Sequence, residues 1–184
     1  MPTETQVPRR SKLNKGYVHV YTGDGKGKTT AAIGLAIRAA GAGLRVLFVQ
    51  FIKGAPYSEI AALKMFSDQI SVRQYGRGRF IKGEPCREDV EAAVRGLAEI
   101  KQVLSDGRYD VVVLDEANIA IQCNLFPLDK LVELIACKPL NVEMVITGRY
   151  AHPFIVDCAD VVTEMKEVKH YFQKGIMARV GIEK

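Results

Sequence analysis

The residues best suited to chemistry lie near the amino terminus. Thr22-Gly-Asp-Gly-Lys-Gly-Lys-Thr-Thr30 combines three glycines, two lysines and a closing pair of hydroxyls. Glycines let successive backbone N–H groups curl inward toward an anion. At the end of such a loop Lys28 reaches terminal phosphates and the Thr29 hydroxyl meets Mg²⁺. The N-terminus of a following helix adds its partial positive charge. The strict G-x-x-x-x-G-K-[ST] spacing puts its first glycine at position 22, where this chain has Thr. Gly23 stands one place later, so the loop is a variant, and the pattern predicts phosphate binding.

Two further groups fall at predicted strand ends. In Val111-Val-Val-Leu-Asp115-Glu116 a carboxylate pair closes a buried strand, the place where doubly wound folds put ligand chemistry. Asp115 or Glu116 would hold Mg²⁺ directly or through water, opposite Thr29. Spacing alone leaves open a simpler reading, two acids at a helix N-terminus. In Ile146-Thr-Gly-Arg149, Arg149 lies at the same sheet edge and is placed to contact phosphate; a solvated Arg after a glycine turn fits the spacing equally. His19 falls inside a strand and reads as a satisfied core histidine. His152 and His170 have no metal-ligand partner at suitable spacing.

The elements that must position these groups follow from hydrophobic patterning. Strands are predicted at residues 17–21, 45–51, 70–75, 110–114 and 142–146, with a weaker sixth at 161–165. Helices are predicted at 29–40, with Gly41 at C′, at 58–67, from Pro85 to the Asp106-Gly107 stop, and at 127–136. Apolar strands alternating with helices predict one doubly wound α/β domain over residues 17–184, with a mainly parallel sheet of about six strands and helices on both faces. Residues 1–16 lack periodicity and read as a flexible basic arm.

Composition narrows the function classes. The chain has 184 residues, 48% hydrophobic and 26% charged, which suits one globular domain and excludes a mainly disordered or collagen-like chain. No run reaches the roughly 18 apolar residues of a spanning helix, and the polar start does not read as a secretory signal. The formal charge is +5. The arm accounts for +3 of it (Arg9, Arg10, Lys12 and Lys15 against Glu4), leaving +2 for the domain. A nucleic-acid surface would carry its cations on the folded domain, so no nucleic-acid partner is expected. Cys86, Cys123, Cys137 and Cys158 form no C-x-x-C or zinc spacing. They are expected as reduced thiols in the cytoplasm, mostly buried.

At this level of detail the chain resembles the ATP:corrinoid adenosyltransferases of the P-loop type, whose domain is recombinase-like. The resemblance rests on Thr22 to Ala32, Val49-Gln-Phe-Ile-Lys-Gly54, Leu114-Asp-Glu-Ala-Asn118, Ile146-Thr-Gly-Arg149 and Ala151-His152. Val162-Thr-Glu-Met, Val168-Lys-His170 and Gly181-Ile-Glu183 extend it to the C-terminus. It implies transfer of the 5′-deoxyadenosyl group of ATP to the Co(I) of a reduced corrinoid such as cob(I)alamin or a cobinamide, releasing inorganic triphosphate, in adenosylcobalamin synthesis or salvage. By the same resemblance Gly23, Asp24, Gly25, Lys26, Gly27, Lys28, Thr29 and Thr30 bind the triphosphate, joined by Arg149. Lys28 neutralises the leaving group, and Thr29 and Glu116 hold Mg²⁺ with Asp115 in support. Lys28, Thr29 and Glu116 are thus the expected catalytic set. A reduced flavodoxin-like flavoprotein as electron donor and a homodimer are also implied.

The chain departs from the family in one respect. Some members place a tryptophan and a phenylalanine beside the corrin after the third strand. This chain has no tryptophan, and its segment Tyr75-Gly-Arg-Gly-Arg-Phe80 leaves Phe80 as the corrin-facing candidate, with an ordinary loop aromatic as the alternative. The arm is a candidate to cover the corrin of a partner subunit. Two other functions fit the same residues. In a recombinase-like ATPase, Glu116 positions a water and the products are ADP and phosphate. In a non-catalytic nucleotide-sensing or nucleic-acid module, the arm carries a salt-sensitive affinity.

Overall fold

The computed structural model describes residues 12–54, 57–78, 81 and 83–183. Six strands form one sheet in the order β3-β2-β4-β5-β1-β6, and every pairing is parallel. The strands are β1 (Val18–Thr22), β2 (Val46–Gln50), β3 (Ile70–Gln74), β4 (Val111–Asp115), β5 (Glu143–Thr147) and β6 (Val161–Glu164). Between them run α1 (Lys28–Gly41), α2 (Ser58–Lys64), α3 (Arg87–Asp106), α4 (Ala117–Gln122), α5 (Leu128–Ala136) and α6 (Pro153–Asp157), with a 3₁₀ turn at Tyr171–Lys174.

The period of two along each strand splits the core into two layers. Val46, Phe48, Val111, Val113 and Val145 pack with Ala32, Ala36 and Ala39 of α1 and Leu63 of α2. Their neighbours Leu47, Val49, Val112, Leu114, Met144 and Ile146 face the other way. These meet Ala93, Leu97 and Ile100 of α3 and Leu131 and Leu134 of α5. Both faces of the central strands are therefore covered, which is why β2 and β4 read as unbroken apolar runs. The α/β doubly wound fold expected from the sequence is the one observed.

Several boundaries differ from the patterning, each for a local reason. The left-handed position after α1 falls on Gly43 (φ 77°), because α1 runs one residue further and includes Gly41. Pro85 precedes α3 without entering it; Cys86 is the N-cap, and its N–H donates to Asp89 Oδ2 at 3.2 Å. Gly107 ends α3 in the left-handed region as expected. α2 stops at Lys64, and α4, α6 and the 3₁₀ turn are too short to show a period. The cysteines are not buried. Cys137 is exposed and the other three are half-buried, because all four flank helix ends at the rim of the sheet.

Candidate active site

The period that builds the core also gives one face of the sheet a polar margin. Gln50, Asp115 and Thr147 continue the α1-facing rows of β2, β4 and β5 at their C-terminal ends, and register places them side by side with Gln74 of β3. Their side chains form a hydrogen-bonded rail. Gln74 Nε2 donates to Gln50 Oε1 at 2.9 Å, Gln50 Nε2 to Asp115 Oδ2 at 3.1 Å, and Thr147 Oγ1 to Asp115 Oδ1 at 2.7 Å. Thr29 at the start of α1 joins the rail from above, its hydroxyl donating to Asp115 Oδ1 at 2.8 Å. Asp115 is fully buried and has donors on both oxygens, so its orientation is fixed.

The phosphate loop spans the gap between β1 and α1. Gly23 and Gly27 have φ of 92° and 123°, and a Cβ at Gly23 would stand 2.5 Å from Met165 O, so only glycine fits there. Lys28 folds back into its own loop, donating to Gly23 O at 2.5 Å and Gly25 O at 2.7 Å. Burial, and then Arg149, push its ammonium below the ordinary lysine range, while Glu116 and Asp24 oppose the shift. A cation held this way against neutral carbonyls is poised for an anion.

Glu116 makes the turn from β4 into α4 with a left-handed backbone (φ 61°), an outlier for a residue with a Cβ. The conformation is held by its N–H, which donates to Thr147 Oγ1 at 3.0 Å. No described residue hydrogen-bonds its carboxylate. Burial, and then Asp115, raise its pKa, against the pull of Lys53, Lys28 and Arg149. Arg149 follows Gly148 (φ 128°), whose carbonyl accepts from Asn118 Nδ2 at 3.2 Å and so ties the β5 turn to α4.

These groups open onto one cavity of about 860 Å³. Gly25 to Thr30, Glu116 and Arg149 line it, as expected from the sequence; Gly23 and the exposed Asp24 do not, and Asp115 lies behind the wall. Ile52, Ile81, Ile119 and Ile182 add apolar lining to the cavity. Lys26 donates to Ile182 O at 2.8 Å, joining the loop to the C-terminal segment. Phe80 lies outside the described residues. His19 is half-buried on β1 and not part of the core. His19 Nε2 pairs with Glu143 Oε1 at 2.5 Å, while His152 and His170 cap the N-termini of α6 and the 3₁₀ turn. Sequence reasoning assigned no role to Lys53, Gln50 or Thr147. Lys53 Nζ stands 3.6 Å from Asp115 Oδ2 and 3.5 Å from Glu59 Oε1. Burial lowers its pKa, but Asp115, Glu116 and Glu59 outweigh that and raise it. Its place three residues past the end of β2, the strand that runs beside β4 and its terminal Asp115, is the signal that points to it.

Comparison with known proteins shows the family. The family described as ATP:corrinoid adenosyltransferase BtuR/CobO/CobP matches residues 14–183. The chain is 38% identical over 175 residues to a corrinoid adenosyltransferase of Pseudomonas aeruginosa, covering 95% of this chain and 86% of that one. It is 39% identical over 171 residues to one of Escherichia coli K12, covering 92% and 86%. To the corrinoid adenosyltransferase CobA of Salmonella typhimurium it is 39% identical over 176 residues, covering 95% and 88%. Among solved structures, a KaiC-like protein of Pyrococcus horikoshii superposes with a TM-score of 0.58 at 16% identity, over 88% of this chain and 83% of that one. The flagellar accessory protein FlaH of Methanocaldococcus jannaschii gives 0.56 at 13%, over 83% and 72%. At such identities these two likenesses concern the fold alone.

Proposed function

The chain belongs to the ATP:corrinoid adenosyltransferases, and on that premise we propose how its cavity performs the transfer. The protein adenosylates a corrinoid with ATP. The Co(I) of the reduced substrate is the nucleophile. It forms a bond to C5′ of ATP while the C5′–O bond breaks, and that electron pair leaves with inorganic triphosphate. Negative charge grows on the leaving group, so fixed cations at that end favour the transition state over the ground state. Lys28 and Arg149 take this role, and residues 25–30, which line the cavity, cradle the phosphates. No side chain acts as a base, because nothing is deprotonated.

The observation that carries this reading is that these cations and a set of isoleucines line one cavity of about 860 Å³. That size lies toward the upper end for ligand pockets, and an isoleucine-lined surface suits a flat macrocycle better than a second phosphate would. Phe80 and the arm of residues 1–16 are proposed to complete the corrin face. The oxygen donors Thr29, Glu116 and Asp115 suit a hard divalent cation, and the Glu116 carboxylate, without a hydrogen-bond partner among the described residues, supports its role as the direct ligand. Bound there, Mg²⁺ would neutralise triphosphate charge.

A homodimer is proposed as the assembly. Exposed Val161 and Val162 on edge strand β6, with Phe172 and Met177 beyond it, support a second copy covering that side. Among the described residues no helix is long and apolar enough to cross a membrane. Four cysteines without a disulfide suit a reducing compartment, which supports placement in the cytoplasm, where a reduced flavodoxin-like protein would supply the electron.

The test is an anaerobic assay with ATP, Mg²⁺ and chemically reduced cob(I)alamin. A light-sensitive alkyl-cobalamin spectrum with inorganic triphosphate is the expected result. An unchanged corrinoid with ADP and phosphate would replace the transferase reading with the ATPase.

A further inference from the structure

Lys53 belongs neither to the phosphate loop nor to the carboxylate pair, yet it touches both. The backbone that carries it is pinned. Added Cβ atoms would come 2.0 Å from Gly76 O at Gly54, and 2.1 Å from Ile52 O at Gly76, so the loops after β2 and β3 lie backbone against backbone. From that fixed origin Nζ reaches Thr29 Oγ1 at 3.4 Å and Asp115 Oδ2 at 3.6 Å. Glu59 Oε1 at 3.5 Å and the face of Tyr57, with its centroid at 5.7 Å, hold the ammonium from the other side.

The charges around it explain the placement. Asp115 is fully buried, Glu116 stands next to it without a hydrogen-bond partner among the described residues, and Glu59 adds a third carboxylate. An ionised carboxylate buried without a positive partner is strongly unfavourable. The Thr29 hydroxyl already donates its one hydrogen bond to Asp115, so the oxygen turned toward Lys53 offers a lone pair. A divalent cation bound by Thr29 would use the same kind of electron pair.

We infer that Lys53 is a positioning residue, a tethered stand-in cation for the Thr29–Asp115 pair in the nucleotide-free protein, and that a divalent cation must displace it to reach Thr29. This rests on the metal reading above. One oxygen cannot face an ammonium and a divalent ion at close range, because the two cations repel. The metal alone therefore competes with Lys53, whereas metal arriving with ATP brings phosphate charge that can receive the released ammonium. The arrangement makes the cation bind as its nucleotide complex in preference to the free ion.

The experiment measures Mn²⁺ binding by the EPR signal of the free ion, with and without ATP, for the wild type, Lys53→Met and Lys53→Arg. Thermal unfolding is followed in parallel. Without ATP, Lys53→Met should bind Mn²⁺ roughly tenfold tighter than wild type or better, as removal of one nearby like charge predicts. Lys53→Arg, which keeps the charge, should stay near wild type. In EDTA Lys53→Met should melt lower than wild type, and Mn²⁺ should recover most of the difference, which a mere packing role would not allow. Equal or weaker Mn²⁺ binding by Lys53→Met, with normal binding by the wild type in ATP, overturns the inference alone. Failure of the wild type to bind Mn²⁺ even with ATP overturns the metal reading, and the inference with it.

Discussion

Asp115→Asn tests the polar rail most directly, because it changes no volume and only one atom's chemistry. The carboxylate now accepts from Thr29 and Thr147 on Oδ1 and from Gln50 on Oδ2. An asparagine oxygen can keep the first two, but its NH₂ must then face the Gln50 NH₂. Gln50 cannot turn over to help, since its oxygen already accepts from Gln74. The substitution therefore removes one hydrogen bond to a charged group, sets two donors against each other, and takes a buried counter-charge from Lys53. A lost charge-assisted bond is worth about 1.5–3 kcal/mol, and the unsatisfied donor adds to it. Taking about 3 kcal/mol in all, a domain of this length should melt roughly 6–12 °C lower. Circular-dichroism melts at pH 7.5 in EDTA, without nucleotide, measure this without any contribution from metal binding. The double variant Asp115→Asn/Gln50→Glu gives the new amide an acceptor and should recover part of the loss. A single variant that melts within about 2 °C of wild type, or higher, would refute the reasoning. It would mean that relief of the buried charge outweighs the rail.

Four further outcomes are expected. Lys28→Ala should weaken ATP binding by about 30- to 150-fold, the equivalent of losing one charged contact of roughly 2–3 kcal/mol. Its far-UV spectrum should be unchanged, because in the free loop Lys28 bonds only loop carbonyls; isothermal calorimetry decides it. Glu116→Gln should melt higher than wild type at pH 7.5, by an amount that vanishes near pH 4. Burial and Asp115 raise the folded-state pKa, so the folded protein holds this proton to a higher pH than the unfolded chain. Ionisation therefore lowers wild-type stability as pH rises through and beyond the ordinary carboxylate range. Parallel melting curves across that range would contradict this. Two glycine variants separate strain from crowding. Gly107→Ala has open space and a φ of 61°, so it should cost about 1 kcal/mol in denaturant unfolding. Gly148→Ala combines φ 128° with contacts of 3.0 Å to Asn118 Cβ and 3.1 Å to Ile119 N, and should cost about 2 kcal/mol or more while also weakening ATP binding through Arg149. Val162→Lys on the β6 edge should shift the protein toward monomer in light scattering; an unchanged mass would place the dimer contact elsewhere.

Much of this molecule is legible in local order. The variant phosphate loop is a contiguous segment whose glycine spacing fixes its backbone chemistry, and Asp115-Glu116 and Arg149 announce themselves at the ends of apolar runs. Strand and helix types followed from periods of two and between three and four, since those periods are what a covered parallel sheet demands. Short elements escaped. α4 and α6 have six and five residues, too few for a helical period to show, and a left-handed Glu116 is not predictable from a residue that ordinarily avoids that region. The burial of the cysteines was misjudged because composition says nothing of where a helix ends relative to the sheet's rim. The rest of the site is a matter of strand order and register. Gln74, Gln50, Asp115 and Thr147 are scattered between positions 50 and 147, and they meet only because β3, β2, β4 and β5 lie side by side and end level. Lys53 likewise becomes a cation for Asp115 only through a glycine contact between two loops. The sequence by itself determined the glycine spacing of the loop and which strands are buried, because those depend on neighbours along the chain. Tertiary structure alone decided which charges neutralise one another, because that depends on distances across the sheet.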